Sequence, residues 1–245
     1  MILNYQRFFQ HLPQTLQNVI DPLSKGLRDF VWQAAQSTAP NSIVIDAGSG
    51  YSPYRAFFNH AKYFSIDSGQ GDAGWNYSNI SIRGDLCQLP FSSNIADIVI
   101  CTQVLEHVPE PQIVIEELYR IMKPNGVLYL TAPQGWGEHQ VPHDYFRFTS
   151  FALNRMFSHA GFSEIVIQPM GGFFIYLGNR IAQAPKYLFS AQPRRLFRWF
   201  LLPLEIVLLI TLSGIAPAVC YWLDRFDHKH NYTLVYTCTC RKSTA

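Results

Sequence analysis

The alternation of apolar and polar positions changes rhythm several times along the chain, and each change predicts an element. Leu23, Leu27, Phe30, Val31 and Ala34 recur at helical spacing and predict a helical lead-in over 1–40, closed by Ser37-Thr-Ala-Pro40. A short β-branched run at Ser42–Ile45 is followed by short strands at Tyr63–Ile66, Ile80–Arg83 and Ala96–Cys101, with a helix-compatible stretch near Tyr54–His60. The fourth run is apolar after its first residues, as suits a strand buried on both faces. Pro111 is placed to open a helix in which Val114, Leu118 and Ile121 face one way, and Lys123-Pro-Asn-Gly126 ends it. Val127–Thr131 reads as a fifth strand. Thr149 or Ser150 caps a helix carrying Leu153, Met156, Phe157 and Ala160, and Gly161 stops it. Glu164–Gln168 is a sixth strand, and Tyr232–Cys240 alternates like another.

Strands alternating with helices at this spacing predict an α/β fold, with a doubly wound, mostly parallel sheet and helices on both faces. Such sheets bind ligands at the carboxyl ends of their strands. Asp46–Gly50, Asp67, Asp85 and Gln103–His107 all lie just past a predicted strand end. Gly48-Ser-Gly50 sits between strand and helix, where a glycine loop lets a ligand touch backbone. The third glycine of a dinucleotide fingerprint falls on Pro53, and Asp46 would set negative charge beside a pyrophosphate, so a nicotinamide-dependent reductase is disfavoured. Asp67 can accept hydrogen bonds from two ribose hydroxyls, and Asp85 with Leu86 can read an adenine amino group while packing its face. A nucleoside with a positive centre and no phosphate suits all three acids.

These residues carry a resemblance. VIDAGSG (44–50), YFSID (63–67), GDLCQLPF (84–91), ADIVICTQVLEHV (96–108) and ELYRIMKPNGVLYLTAP (117–133) resemble class I S-adenosylmethionine-dependent methyltransferases of the type 11 group. The resemblance covers roughly 42–168 and implies a Rossmann-like methyltransferase fold with S-adenosylmethionine as cofactor. It implies that the loop of Asp46, Ala47, Gly48, Ser49 and Gly50 holds the methionine part and Asp67 the ribose. Asp85 and Leu86 would hold the adenine, and Gln103, Leu105 and His107 would line the pocket after the fourth strand. Ser49 stands where the group more often has Cys.

Composition narrows the class further. Of 245 residues, 48% are hydrophobic and only 15% charged, which excludes a disordered chain. Lys+Arg minus Asp+Glu is 19 − 17 = +2, too balanced for a nucleic-acid binder that relies on bulk charge. Five cysteines show no metal-type spacing, and Cys238 and Cys240, two apart on a strand, share a face. Reduced thiols and an N-terminus without a continuous apolar h-region predict a cytoplasmic protein.

Methyl transfer from a sulfonium asks mainly for alignment, with a base needed only for a hydroxyl or protonated amine acceptor. The segment from Gly137 to Arg147 follows the fifth strand, where an acceptor would enter. His139 to Thr149 resembles a His-x-x-Asp-x-x-Arg-[Phe/Tyr]-Thr stretch of the type 11 group. His143 and His139 are base candidates with Asp144 as orienter, although Asp144 and Arg147, three apart, could instead brace the loop. Pro142 interrupts any helix between the two histidines and no third ligand stands out in sequence, so no metal is expected. Glu106 and His107 read as pocket lining first.

The later part of the chain departs from this pattern. Arg180, Lys186, Arg194, Arg195 and Arg198 are interleaved with Tyr187, Phe189, Phe197 and Trp199, and Ile206–Leu223 runs uncharged, interrupted by Gly214 and Pro217 after Pro203. A single membrane crossing would leave the last strand on the wrong side. A re-entrant or interfacial helix, with residues 185–223 at the membrane surface, keeps it in the sheet. The alternatives are a buried cap helix or a dimer interface.

The expected organisation is a lead-in over 1–40, a methyltransferase core over 41–179, a basic and hydrophobic insertion over 180–229, and a last strand and tail over 230–245. The expected activity is methyl transfer to a small-molecule or lipid-linked acceptor at the inner membrane face, with no nucleic-acid partner. The rival is a non-catalytic S-adenosylmethionine-binding partner subunit.

Overall fold

The computed structural model describes residues 13–71, 74–188 and 198–244. Two compact units are present: Leu27–Met170 with Val235–Ala245, and Gly171–Leu234 with Met1–Gly26.

The first unit is built on a seven-stranded sheet of β1 (Ile43–Ala47), β2 (Lys62–Asp67), β3 (Ile82–Arg83), β4 (Ala96–Thr102), β5 (Met122–Pro133), β6 (Phe162–Pro169) and β7 (Val235–Lys242). Their order is β3-β2-β1-β4-β5-β7-β6. The first five strands pair in parallel, and β7 enters antiparallel between β5 and β6. The strand order reverses between β1 and β4, and ligand crevices in open α/β sheets form at such a reversal.

Strand alternation explains the two cores. Ile45, Ala47, Val99, Cys101, Leu128 and Leu130 pack on one face with Val114, Ile115 and Leu118 of α3 (Pro111–Ile121) and Leu153 and Phe157 of α4 (Ser150–Ala160). Val44, Ile98, Ile100 and Tyr129 take the other face with Val31, Ala34 and Ala35 of α2 (Pro22–Ser37). These side chains are almost wholly withdrawn from water, each worth ~1.5–3 kcal/mol for a large aliphatic. Pro111 opens α3. Thr149 caps α4 by accepting from the Ala152 amide, and Gly161 ends it at φ +95°.

Several boundaries differ from the sequence expectation. β1 extends through Asp46 and Ala47, so neither belongs to the loop. Tyr54–His60 yields only a 3-10 turn at Arg55–Phe58, since β2 begins at Lys62. Lys123-Pro-Asn-Gly126 is not a helix end but an irregularity within β5. Pairing passes there from Ala96↔Met122 to Ile98↔Val127. A Cβ on Gly126 would lie 2.9 Å from the Lys123 carbonyl oxygen and 3.1 Å from that of Ala96, so only glycine fits. The last strand starts at Val235 rather than Tyr232. Cys238 and Cys240 lie buried on one face as their spacing predicts, and all five thiols are free.

The second unit is helical: α1 (Gln14–Ile20), α5 (Phe173–Leu188), α6 (Arg198–Ile210) and α7 (Ala216–Leu223). Asp224 accepts from the Gly172 and Ile175 amides, and Asp227 from that of Phe173, so two carboxylates satisfy the amino end of α5. Gly178 lets α5 approach α7, where a Cβ would meet that of Cys220 at 2.8 Å. Pro203, Gly214 and Pro217 do not interrupt the apolar run. α6 continues into α7 through a π turn at Thr211–Ile215, in which the Ala216 amide reaches the Thr211 carbonyl. Pro217 has no amide to give the Ser213 carbonyl and its ring crowds that turn, a recognised cause of local widening. The helical stretch Leu202–Phe226 has mean hydropathy 2.1 over its most apolar window, of which only 17% is buried. Val207, Ile215, Val219, Trp222 and Phe226 are exposed. Arg194 and Arg195, like Phe189 and Phe197, lie outside the described residues.

Candidate active site

The carboxyl ends of β1, β2 and β4 place the residues singled out by sequence, though not all in the expected manner. The glycine loop leaves β1 with its first amides anchored, since Gly48 and Ser49 both donate to the Ile66 carbonyl of β2, at 2.8 and 3.1 Å. Gly48 and Gly50 adopt φ +76° and +54°. The Gly50 amide donates to Asp67 Oδ2 at 2.8 Å, and the Gly69 amide to Asp67 Oδ1 at 2.7 Å. Asp67 therefore organises both turns. A carboxylate offers about four acceptor positions, so two amides leave room for two hydroxyls.

Asp46 stands differently. Alternation within β1 turns it to the α2 face, where it is buried and its Oδ2 accepts a short hydrogen bond from the Tyr63 hydroxyl. Its Oδ1 has no hydrogen-bond partner. Burial, reinforced by the nearby charge of Asp67, pushes the Asp46 carboxyl up to about 7, against the opposing Tyr63 bond and Arg55. A positive centre in the crevice would relieve the crowding of these two acids. Asp85 is exposed and accepts from the Cys87 amide, and Leu86 beside it is buried. Ala47 and Ser49 are buried as well.

After β4, Gln103 takes φ +55° and donates its amide and its side chain to Thr131 of β5. Leu105 is buried in a 3-10 turn, Leu105–His107. Gln103, Leu105 and His107 are thus on one short segment at the strand end, as expected. Sequence reading missed Tyr63 and Trp75. The Trp75 ring packs where a Cβ on Gly50 would sit, 2.8 Å away, and stacks edge-on against Tyr51. An aromatic run (Tyr51, Trp75, Tyr77) around a glycine loop was the available signal.

The loop after β5 is pinned to this turn, with the Tyr145 amide donating to the Glu106 carbonyl at 2.7 Å. Arg147 grips Asp144 in a fork, Nη1 to Oδ1 at 2.8 Å and Nη2 to Oδ2 at 2.7 Å, and its Nε donates to the Trp136 carbonyl. That pairing holds the Asp144 carboxyl down at about 2. Asp144 also accepts from the His139 amide. The bracing role weighed for Asp144 and Arg147 is therefore present, and what Asp144 orients is His139. The two candidate histidines diverge. His143 turns its ring to the Tyr145 hydroxyl at 3.2 Å, while its carbonyl accepts from His107 Nδ1 at 2.6 Å. His139 instead meets His107 edge to face, Nε2 to Nε2 at 3.1 Å. Glu106 is fully buried beside them, Oε1 3.8 Å from His107 Nε2, and neither of its oxygens has a hydrogen-bond partner. Burial pushes its carboxyl up to about 8 and lowers His107.

Half-buried Asp67 with acceptor capacity to spare, a glycine loop with positive-φ turns at Gly48 and Gly50, and the apolar Leu86 fit S-adenosylmethionine. Comparisons with known proteins agree. Residues 45–130 match the family model described as "Methyltransferase domain". A protein of Mycobacterium sp. (strain JLS), named as a methyltransferase, is 26% identical over 141 residues, covering 53% of this chain and 54% of its own. A methyltransferase of Mycobacteroides abscessus is 27% identical over 142 residues, 53% of this chain and 55% of its own. The chain thus spans about half the length of the curated relatives it matches. Among solved structures, an S-adenosylmethionine-dependent methyltransferase from Archaeoglobus fulgidus superposes with TM-score 0.57 at 11% identity, covering 89% of this chain and 94% of its own. A Haemonchus contortus N-methyltransferase in complex with phosphomonomethylethanolamine and S-adenosylhomocysteine superposes with TM-score 0.53 at 14% identity, over 89% and 53%. These last two likenesses speak for the fold. The match to the methyltransferase-domain model thus lies within the α/β unit, whose seven-stranded sheet shares the Rossmann-like fold of the superposed methyltransferases.

Proposed function

We propose that the protein transfers the methyl group of S-adenosylmethionine to a small-molecule or lipid-linked acceptor at the cytoplasmic face of a membrane. The observation that carries the cofactor half is Asp67, half-buried at the end of β2 and tied to the Gly50 amide within the matched segment. In this reading Asp67 orients the ribose, Asp85 and Leu86 the adenine, and the Gly48–Gly50 loop takes the methionine part. Asp46 adds negative charge near the positive centre. Bound S-adenosylmethionine supplies an intrinsically reactive methyl, so alignment by these residues is the main catalytic demand. His143, half-exposed and bonded to Tyr145, is the candidate to take a proton from the acceptor.

The membrane half is supported by the long, apolar and largely unburied helical stretch Leu202–Phe226, with Trp222 and Arg225 stacked at its end, 3.6 Å from guanidinium to ring centroid. Arginine and tryptophan beside an apolar helix favour a location in the headgroup region. The insertion 180–229 supplies this element and the core 41–179 the chemistry.

The test combines purified protein, methyl-labelled S-adenosylmethionine and a cell extract separated into lipid and aqueous fractions, with Asp67→Ala as the blank. Label in the lipid fraction is the expected result. Label in water alone would keep the transferase and remove the membrane acceptor, and no label with cofactor still bound would point to a partner subunit. Flotation with anionic liposomes should be lost when Arg194, Arg195 and Arg198 become Gln, and undiminished flotation would argue against electrostatic docking.

A further inference from the structure

His139 joins Glu106 and His107, not His143, and the three side chains place one ligand atom each within 4.8 Å of the others. Both rings are held in one tautomer. His107 Nδ1 faces the His143 carbonyl at 2.6 Å and His139 Nδ1 the Gly137 carbonyl at 3.1 Å, and a carbonyl only accepts, so each Nδ1 carries the hydrogen. In the neutral rings both Nε2 atoms are then acceptors, 3.1 Å apart. Two acceptors so close repel unless a cation lies between them. At the zinc–nitrogen length of ~2.05 Å, nitrogens 3.1 Å apart subtend ~98°, between octahedral and tetrahedral angles. Glu106 completes the set with a buried carboxylate whose oxygens have no hydrogen-bond partner. Outer contacts are in place too: the two carbonyls fix the rings, and Asp144 fixes the His139 amide.

We propose that Glu106, His107 and His139 form a binding site for a divalent transition metal of the zinc class. Two imidazoles and one carboxylate suit that ion better than magnesium, which favours oxygen ligands. Three protein ligands leave a coordination position open, for water or for an oxygen of an incoming molecule. The site lies at the end of β4, under the loop after β5, and rests on these side chains, not on the methyltransferase reading.

Tag-free protein is stripped with chelator, reloaded with Zn²⁺ or with Co²⁺ as a spectroscopic probe, dialysed and assayed for metal content. The expected result is one Zn²⁺ per chain, visible Co²⁺ absorption, and no retention of Mg²⁺. His139 is a half-exposed loop residue whose loss should spare the fold. His139→Ala should weaken Zn²⁺ binding at least ~10-fold, because losing even an outer-shell partner costs that much. His143→Ala should leave it unchanged. Zn²⁺ retention no higher than that of a metal-free control protein, or equal affinity in His139→Ala, would overturn the site. So would nitrogen NMR showing a proton shared between the two rings in protein that binds no Zn²⁺.

Discussion

Gly48→Ala is the most informative single substitution in the glycine loop. Gly48 sits at φ +76°, and a Cβ there would lie 2.6 Å from Val104 Cγ1 and nearer still to Cγ2. It cannot swing away, because its amide and that of Ser49 are both held by the Ile66 carbonyl. Val104 cannot yield either, being buried and β-branched with a stiff χ1. The left-handed backbone costs alanine ~1–2 kcal/mol. Overpacking against Val104 adds ~1–3 kcal/mol. The sum is a destabilisation of ~2–5 kcal/mol, to be read as a shift of the urea midpoint followed by circular dichroism. Val104→Ala removes the overpacking but not the backbone strain. The double mutant should therefore recover ~1–3 kcal/mol relative to additivity. A Gly48→Ala protein within ~0.5 kcal/mol of the parent, or strict additivity with Val104→Ala, would show that Val104 does not confine position 48.

Three further outcomes are expected. Asp46 binds a proton in the folded state between the ordinary carboxylate range and about pH 7, so stability of cofactor-free protein should fall as pH rises through that window, by on the order of 4 kcal/mol. Asp46→Asn keeps an acceptor for Tyr63 and should flatten the urea midpoint across that range; an unchanged slope would show that another group titrates. Arg147→Gln leaves the nearly buried Asp144 carboxylate without its fork and should cost ~1–3 kcal/mol above pH ~4. The loss should shrink toward about pH 2, where native Asp144 is protonated too. Thr149→Ala removes the cap on the Ala152 amide and should cost ~1 kcal/mol in the same denaturation assay.

How far the sequence could be read depended on whether a feature is local. Pro111, Thr149 and Gly161 bound their helices through backbone rules confined to a few residues, and the structure agrees with each. The parallel strands, with Asp67 and Gln103–His107 at their ends, followed from apolar runs of the right length. What escaped depends on partners distant in sequence. Asp46 looked like a loop acid, yet the strand runs on through it to Ala47 and turns it into the core against Tyr63. His139 and His143 stood close together in sequence as base candidates on one loop. With no helix between them, the loop instead carries His139 to His107, 32 residues earlier. The irregularity at Lys123–Gly126 depends on the register with Ala96, which helix-stop chemistry cannot reveal. Pro203, Gly214 and Pro217 are poor helix residues individually, but Ser213 donating to the Ala182 carbonyl and the close approach at Gly178 hold the continuous path.

Calorimetric titration reads directly whether the crevice at the β1–β4 reversal holds S-adenosylmethionine through Asp67. The expected result is one S-adenosylmethionine per chain and, in Asp67→Ala, an affinity lower by ~1.5–3 kcal/mol, about 10- to 150-fold, with NAD giving no heat in either protein. Undiminished binding by Asp67→Ala, or binding of NAD in place of S-adenosylmethionine, would contradict it.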